Sequence, residues 1–343
     1  MRTDSPSPHP FDALTPDLVL DALDSVGLRG DGRLYPLSSY ENRVYLVQLE
    51  DGPSVVAKFY RPARWSDAQI QEEHDFALEL AAAEVPMVAP VVLHGQTLHH
   101  HGGFAFAVSP LRGGRYPELD DFEVLEWTGR FIARLHSVGE RRAFVHRPST
   151  TLQTLGIDSV QWLLEHDMVP LDVRSDWQSA AQDAINFIAG QALLTGSSGS
   201  FPTYIRLHGD CHAGNILWTP PDAAPAGQTG GPHFVDLDDC RMGPAMQDLW
   251  MLLSGERRQR TEQLCGLLDG YEQVRPFPRQ ELVLIEPLRT LRLLHYSAWL
   301  ARRWGDPAFA QTFAWFGSSD YWRNQTQQLH AQIEAMHEPA LVV

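Results

Sequence analysis

Apolar and polar positions along the chain follow two periods, and the change from one to the other divides the sequence. Residues 1–10 are polar and proline-rich and predict a loose arm. Thr15-Pro16 then supplies a capping hydroxyl followed by a proline suited to a first helical turn, so the first helix is expected there. RLYPLSSYENRVYLVQLEDGPSVVAKFYR reads as strand and hairpin material, with VYLVQL and SVVAKFY on either side of the turn signal Asp51-Gly52-Pro53. From Ser66 the period changes: Ile70, Phe76, Ala77 and Leu80 recur near helical spacing until Pro86 ends the run. VAPVVLHGQTLHHHGGFAFAVSPL returns to short β-rich runs, with His99 to His101 beside Gly102-Gly103 expected at an exposed hairpin tip. From about Phe122 the pattern is mostly helical. Two β-like patches interrupt it, IRLHGD near 205 and GGPHFVDLDD near 231, and predict a short hairpin whose tip is TPPDAAPAGQTGG. The GSSGS run near 196 is expected to be a surface loop.

Strands first and helices afterwards predict an α+β fold of two lobes, residues 1–110 sheet-rich and 111–343 mostly helical. A length of 343 residues is enough for two lobes sharing a cleft, and 43% hydrophobic with 20% charged residues is a globular composition. The formal charge of −16 argues against a nucleic-acid partner, which would need clustered Lys and Arg, yet leaves room for a nucleotide pocket with a few local cations and a metal. Cys211, Cys240 and Cys265 suit neither a disulfide framework nor a paired-thiolate zinc site, and a reducing cytoplasm is expected. No signal-like or long apolar stretch points to export or a membrane. A monomer is the default expectation.

The candidate chemistry lies in HGDCHAGN, where Asp210 and Asn215 are five apart, and in Asp236 beyond the expected hairpin. Phosphoryl transfer needs a carboxylate to orient the acceptor hydroxyl and take its proton, and hard oxygen ligands for Mg²⁺ on the phosphates. Asp210 fits the first role; Asn215 and Asp236 fit the second, with Asp236 also counted as catalytic. The Asp-to-Asn spacing is that of the kinase catalytic loop, and His208 stands where that loop has its histidine. Gly209 replaces the loop's arginine, and Asp236-Leu237-Asp238 replaces the DFG triplet.

HGDCHAGNIL, FVDLDD and GPAMQDL, in that order, resemble the aminoglycoside phosphotransferase and choline kinase superfamily, which has the protein-kinase-like bilobal fold. With SYENRVY and VAKFYRPARW added, the chain is similar to bacterial stress-response serine/threonine protein kinases of that superfamily, roughly from Leu37 to Trp304. The resemblance implies ATP as donor, with Lys58 holding its phosphates and Glu73 orienting that lysine; Glu72 is a rival for the latter role. LSSYENR takes the place of the glycine-rich phosphate loop but contains no glycine, so Ser38, Ser39 and Asn42 are expected to contact phosphate by side chain or backbone amide. Backbone groups from Ser109 to Leu111 are expected to bind adenine. Asp248 corresponds to an aspartate that steadies the catalytic loop through its amides.

Other readings stay open at this level. The acceptor is a Ser or Thr hydroxyl on a protein, or alternatively a small aminoglycoside, choline or sugar. His208, Asp210 and His212 could ligate the metal of a hydrolase with Asp236 and Asp238, and the fold could serve as a non-catalytic binding module. Asp238 and Asp239 are expected in structural or secondary roles. Arg292, His295 and Trp299 share one side of a late helix, read as core with a solvated edge or as part of an acceptor groove.

Overall fold

The computed structural model describes residues 10–196, 201–224 and 230–343. In chain order its elements are α1 (Pro16–Asp24), β1 (Gly30–Leu37), β2 (Arg43–Leu49), β3 (Val55–Phe59), α2 (Asp67–Ala82), β4 (His99–His101), β5 (Phe104–Pro110) and α3 (Phe122–Gly139). There follow α4 (Asp158–Glu165), α5 (Leu171–Gly190), β6 (Ile205–Leu207), β7 (Ile216–Thr219), β8 (Gly231–Phe234), β9 (Arg241–Gly243) and α6 (Met246–Trp250). The chain closes with α7 (Arg257–Tyr271), α8 (Ile285–Arg302), α9 (Pro307–Thr312) and α10 (Ser319–His337). By its contacts the chain divides into one unit of residues 1–116 and 216–238 and a second of residues 117–215 and 239–343.

In the first unit the local signals act as expected. Thr15 accepts a hydrogen bond from the Leu18 amide at 3.2 Å and so starts α1. Ser66 forms a capping box with Gln69 at the head of α2. An antiparallel five-stranded sheet runs in the order β1-β2-β3-β5-β4. Along β3 the side chains alternate, with Val55, Ala57 and Phe59 buried and Val56 and Lys58 less so. The buried set joins Val47, Phe104, Phe106 and Val108 in a core that also takes Val19, Ala22 and Leu23 of α1. Lys58 is therefore on the opposite face from that core, and α2, carrying the buried Ile70 and Glu73, is where its partner comes from.

Two expectations change here. His99 to His101 form β4 itself, with His99 buried and its ring centroid 5.5 Å from that of Phe106; the turn is made by Gly102 and Gly103, both at positive φ. The expected hairpin between the 205 and 231 patches is instead two separate pairings. β6 pairs with β9, Leu207 opposite Arg241, while β7 pairs with β8, Ile216 opposite Phe234. ILWT and RMG, unassigned in the sequence, supply the missing partners. The sequence places IRL and GPHF as strands but holds no local signal of which strand each will meet. The leading arm, most of the GSSGS loop and the centre of the proline-rich tip lie in residues 1–9, 197–200 and 225–229, outside the described residues.

The second unit is helical apart from the β6–β9 pair. α3 and α7 approach so closely that a Cβ on Gly129 would come within 1.9 Å of the Leu267 carbonyl oxygen, and one on Gly270 within 1.8 Å of the Glu126 carbonyl oxygen. Glycine is needed at both points for the two backbones to meet. Among the described residues no helix is long and apolar enough to cross a membrane.

Candidate active site

In the first unit, Lys58 is the centre of an ionic lattice. Its ammonium lies 3.2 Å from Glu73 Oε1, 3.1 Å from Asp236 Oδ1 and 3.1 Å from Asp238 Oδ1. Burial opposes the charge, but Asp238, Glu73 and Asp236 together outweigh it and hold the lysine pKa well above its ordinary value. Glu73, on α2, is thus the carboxylate beside Lys58, with Glu72 one position further round the helix. Behind it, the Tyr60 hydroxyl lies 3.5 Å from Glu73 Oε1 and 2.7 Å from His74 Nε2, and His74 Nδ1 is 2.9 Å from Thr97 Oγ1. This buried polar chain fixes the turn of α2 that carries Glu73.

Asp236 and Asp238 leave β8 in different ways. Asp236 has φ of 60°, the left-handed region that strains a non-glycine residue and that aspartate tolerates better than most. Its carboxylate is 52% exposed. Asp238 turns inward, is 5% exposed, and forms an ion pair with Arg64 as well as Lys58. Arg64 also lies 3.6 Å from Glu41, and Arg61 pairs with Glu41 at 2.9 Å. Within the glycine-free loop, Asn42 is buried and its Oδ1 accepts the Arg61 amide at 3.0 Å. Of the three residues expected to meet phosphate there, Ser38 is exposed and Ser39 half-buried, whereas the Asn42 side chain is committed to holding the loop. Ser109 is on β5 opposite Val56, and Leu111 is exposed just beyond that strand.

In the second unit, β6 runs directly into the loop of Asp210. Gly209 has φ of 83°, and a Cβ there would come within 2.3 Å of the Asp239 carbonyl oxygen. An arginine at this position would be strained and without room, which explains the departure from the kinase pattern. Asp248, buried, accepts hydrogen bonds from the amides of His208 and Gly209, both at 2.8 Å, and from His136 Nε2 at 3.1 Å. Burial lowers the His136 pKa in spite of Asp248, so its ring stays neutral and Nδ1 accepts from the Tyr271 hydroxyl at 3.0 Å. Gln247 adds a hydrogen bond to the Gly209 carbonyl at 3.2 Å. The role expected of Asp248 is visible in these bonds, and the His208 side chain is buried in the same loop.

Asp210 itself is 18% exposed and has Arg292 Nη2 of α8 2.9 Å from its Oδ1. His212 Nε2 is 3.6 Å from Oδ2, and Asn215 Nδ2 donates to the Asp210 carbonyl at 2.9 Å and approaches Oδ2 at 3.5 Å. Burial pushes the Asp210 pKa up, but Arg292 and His212 pull it down to about 2, so the carboxylate is ionised at neutral pH. The late-helix stripe divides: Arg292 meets Asp210, His295 is held neutral by burial with a pKa of about 3, and Trp299 stacks with Tyr296 at 5.6 Å. Arg64 is the participant that sequence reasoning did not assign; Asp238 was expected only in a structural or secondary role, and Arg292 only on a solvated edge or in an acceptor groove. For Arg292 the available signal was a single cation amid Leu291, Leu293 and Leu294.

Asp236 in the first unit and Asn215 in the second each carry a hard oxygen, a donor that suits Mg²⁺ better than a softer metal. Asp236 offers a half-exposed carboxylate, and the Asn215 amide donates through Nδ2, which leaves its oxygen as the atom that could meet a cation. Among the described residues no group of three or more His, Cys, Asp or Glu is assembled as a metal cage. Such a sparse set is the kind Mg²⁺ uses when phosphates complete its shell.

Residues 34–281 match the APH family model, described as a phosphotransferase enzyme family. Over 331 residues the chain is 45% identical to stress response kinase A of Escherichia coli strain K12, covering 96% of each. Over 334 residues it is 45% identical to the serine/threonine protein kinase RdoA of Salmonella typhimurium, again covering 96% of each. Among solved structures it is similar to amicoumacin kinase hAmiN, with TM-score 0.68, 17% identity, and 91% of this chain and 93% of that one covered. A microcompartment-associated aminopropanol kinase gives TM-score 0.68 at 19% identity, covering 94% and 98%. At those identities the shared property is the fold, a protein-kinase-like α+β architecture with a sheet-rich N-terminal part and a mostly helical C-terminal part. The chain therefore belongs to the APH family of phosphotransferase enzymes and is a kinase.

Proposed function

We propose that the protein transfers the γ-phosphoryl group of ATP to serine or threonine hydroxyls on other proteins, in the cytoplasm and as part of a bacterial stress response. The observation that carries this reading is the Lys58 ammonium, 3.2 Å from Glu73 and 3.1 Å from Asp236, an arrangement that suits a lysine holding the nucleotide phosphates. The name of one 45%-identical relative, a serine/threonine protein kinase, supports the acceptor half, and that of the other supports the stress response. Nucleotide binding is assigned to residues 1–110, with the β7–β8 hairpin counted alongside them, and catalysis and acceptor binding to the remainder of 111–343.

Lys58 would bind the α- and β-phosphates, with Ser38, Ser39 and the Asn42 main chain at the loop. Backbone groups from Ser109 to Leu111 would take adenine. Asn215 and Asp236 would hold Mg²⁺, which when bound neutralises charge on the phosphates. Asp210 accepts the hydrogen bond of the acceptor hydroxyl and orients it. The hydroxyl oxygen bonds to the γ-phosphorus as the bond to the bridging oxygen breaks; ADP departs with that oxygen, and the proton passes to Asp210.

The test is incubation of the protein and Asp210→Asn with labelled ATP, Mg²⁺ and either whole-cell protein or a metabolite extract. Label on Ser and Thr of proteins, absent with Asp210→Asn, is the expected result. Label confined to small molecules would instead identify a small-molecule kinase.

A further inference from the structure

Both oxygens of the Asp210 carboxylate face donors before any acceptor is considered. Oδ2 faces His212 at 3.6 Å and Asn215 at 3.5 Å, both from its own loop. Oδ1 faces Arg292 at 2.9 Å, and this group comes from α8, distant in sequence from the loop. Arg292 is 36% exposed, so its guanidinium can leave the carboxylate for water with little desolvation cost. A nucleophile that approaches Oδ1 has to compete with an ion-pair partner.

We propose that Arg292 is a specificity-determining residue that keeps water from serving as the acceptor, by holding Asp210 Oδ1 until a hydroxyl with binding contacts of its own displaces it. The inference rests on Asp210 being the base. Hydrolysis would use the same chemistry as transfer: the water oxygen bonds to the γ-phosphorus, the bond to the bridging oxygen breaks, one water proton goes to Asp210, and ADP and inorganic phosphate result. Water brings only its own hydrogen bond to Asp210 and gains little by replacing a guanidinium. A serine or threonine on a bound polypeptide is already positioned by its neighbours, so displacing Arg292 is a small part of its binding. Arg292 thereby separates the two nucleophiles without contacting the nucleotide.

The test measures ADP release from Mg·ATP without added acceptor, and phosphate incorporation into whole-cell protein, for the wild type, Arg292→Gln, Arg292→Lys and the double variant Asp210→Asn/Arg292→Gln. Arg292→Gln is expected to raise acceptor-independent hydrolysis about tenfold, as the ion pair no longer competes for Oδ1. KM for ATP should stay unchanged, and Arg292→Lys should return hydrolysis toward the wild-type rate. Hydrolysis that is unchanged or lower in Arg292→Gln, in protein with native circular dichroism and KM for ATP, overturns the proposal. A double variant as fast as Arg292→Gln would show instead that the base assignment is wrong.

Discussion

Asp210 and Asp236 are both aspartates at the end of a short strand, yet their surroundings differ in kind. Asp210 is enclosed: 18% exposed, held by Arg292, on a loop whose amides are gathered by the buried Asp248. Asp236 is open: 52% exposed, on a left-handed backbone, with Lys58 beside it. A group that must receive a proton from one defined direction gains from enclosure, because its orientation is fixed in advance. A metal ligand gains from openness, since a hydrated cation must shed water to reach it. The inward Asp238 provides a control within the same turn: it has the same side chain as Asp236 but is buried between Lys58 and Arg64.

The difference can be broken most severely by exchanging carboxylate for amide at each site. Asp210→Asn and Asp236→Asn should each lower kcat about a thousandfold, but only Asp236→Asn should weaken Mg·ATP binding, by about tenfold, as measured by titration calorimetry. Equal binding losses in the two variants would erase the contrast between base and metal ligand. Next in size is the support under Asp210. Asp248→Ala leaves two buried amides and His136 without their acceptor and should cost about 3 kcal/mol or more in denaturant unfolding, with activity lost in parallel.

The smallest effect concerns pH and the base of the same loop. Glu281, buried, accepts the Met246 amide at 2.9 Å at the start of the segment carrying Asp248, and burial raises its pKa to about 7. Its folded pKa is above the unfolded value, so the native state binds the extra proton. Stability from this group is complete below about pH 4.5 and is lost as pH rises through 7, on the order of 3 kcal/mol in all. Glu281→Gln should therefore melt close to wild type at pH 5 and above it at pH 8. Identical shifts at both pH values would show that the carboxyl does not titrate in this window.

Much of the fold was legible because its signals are local. Thr15-Pro16, the change of period at Ser66 and Asp51-Gly52 are each read within a few neighbouring residues. Strand partners were not legible, since three-residue strands such as IRL and RMG carry no pattern that names their neighbour. In the site, Asp210, Asn215, Lys58 and Asp236 could be singled out from spacing and resemblance. Arg292 was placed only on a solvated edge or in an acceptor groove, because its contact with Asp210 is seen only once the helix is placed against the loop. Asn42 was recognised as a loop residue, but its burial under the Arg61 amide depends on a contact distant in sequence.

The lattice of Glu41, Arg61, Arg64, Lys58 and Asp238 also constrains how this chain can evolve. Each member satisfies a buried or half-buried charge of another, so a lone replacement strands its neighbour in a poorly hydrated place. Substitutions at Arg64 are then tolerable chiefly when Asp238 and Glu41 have already changed, an epistatic block in which order of mutation matters. Related sequences should carry these residues as a set or replace them as a set, and a glycine in the 37–43 loop should appear only on backgrounds where the set has been dissolved.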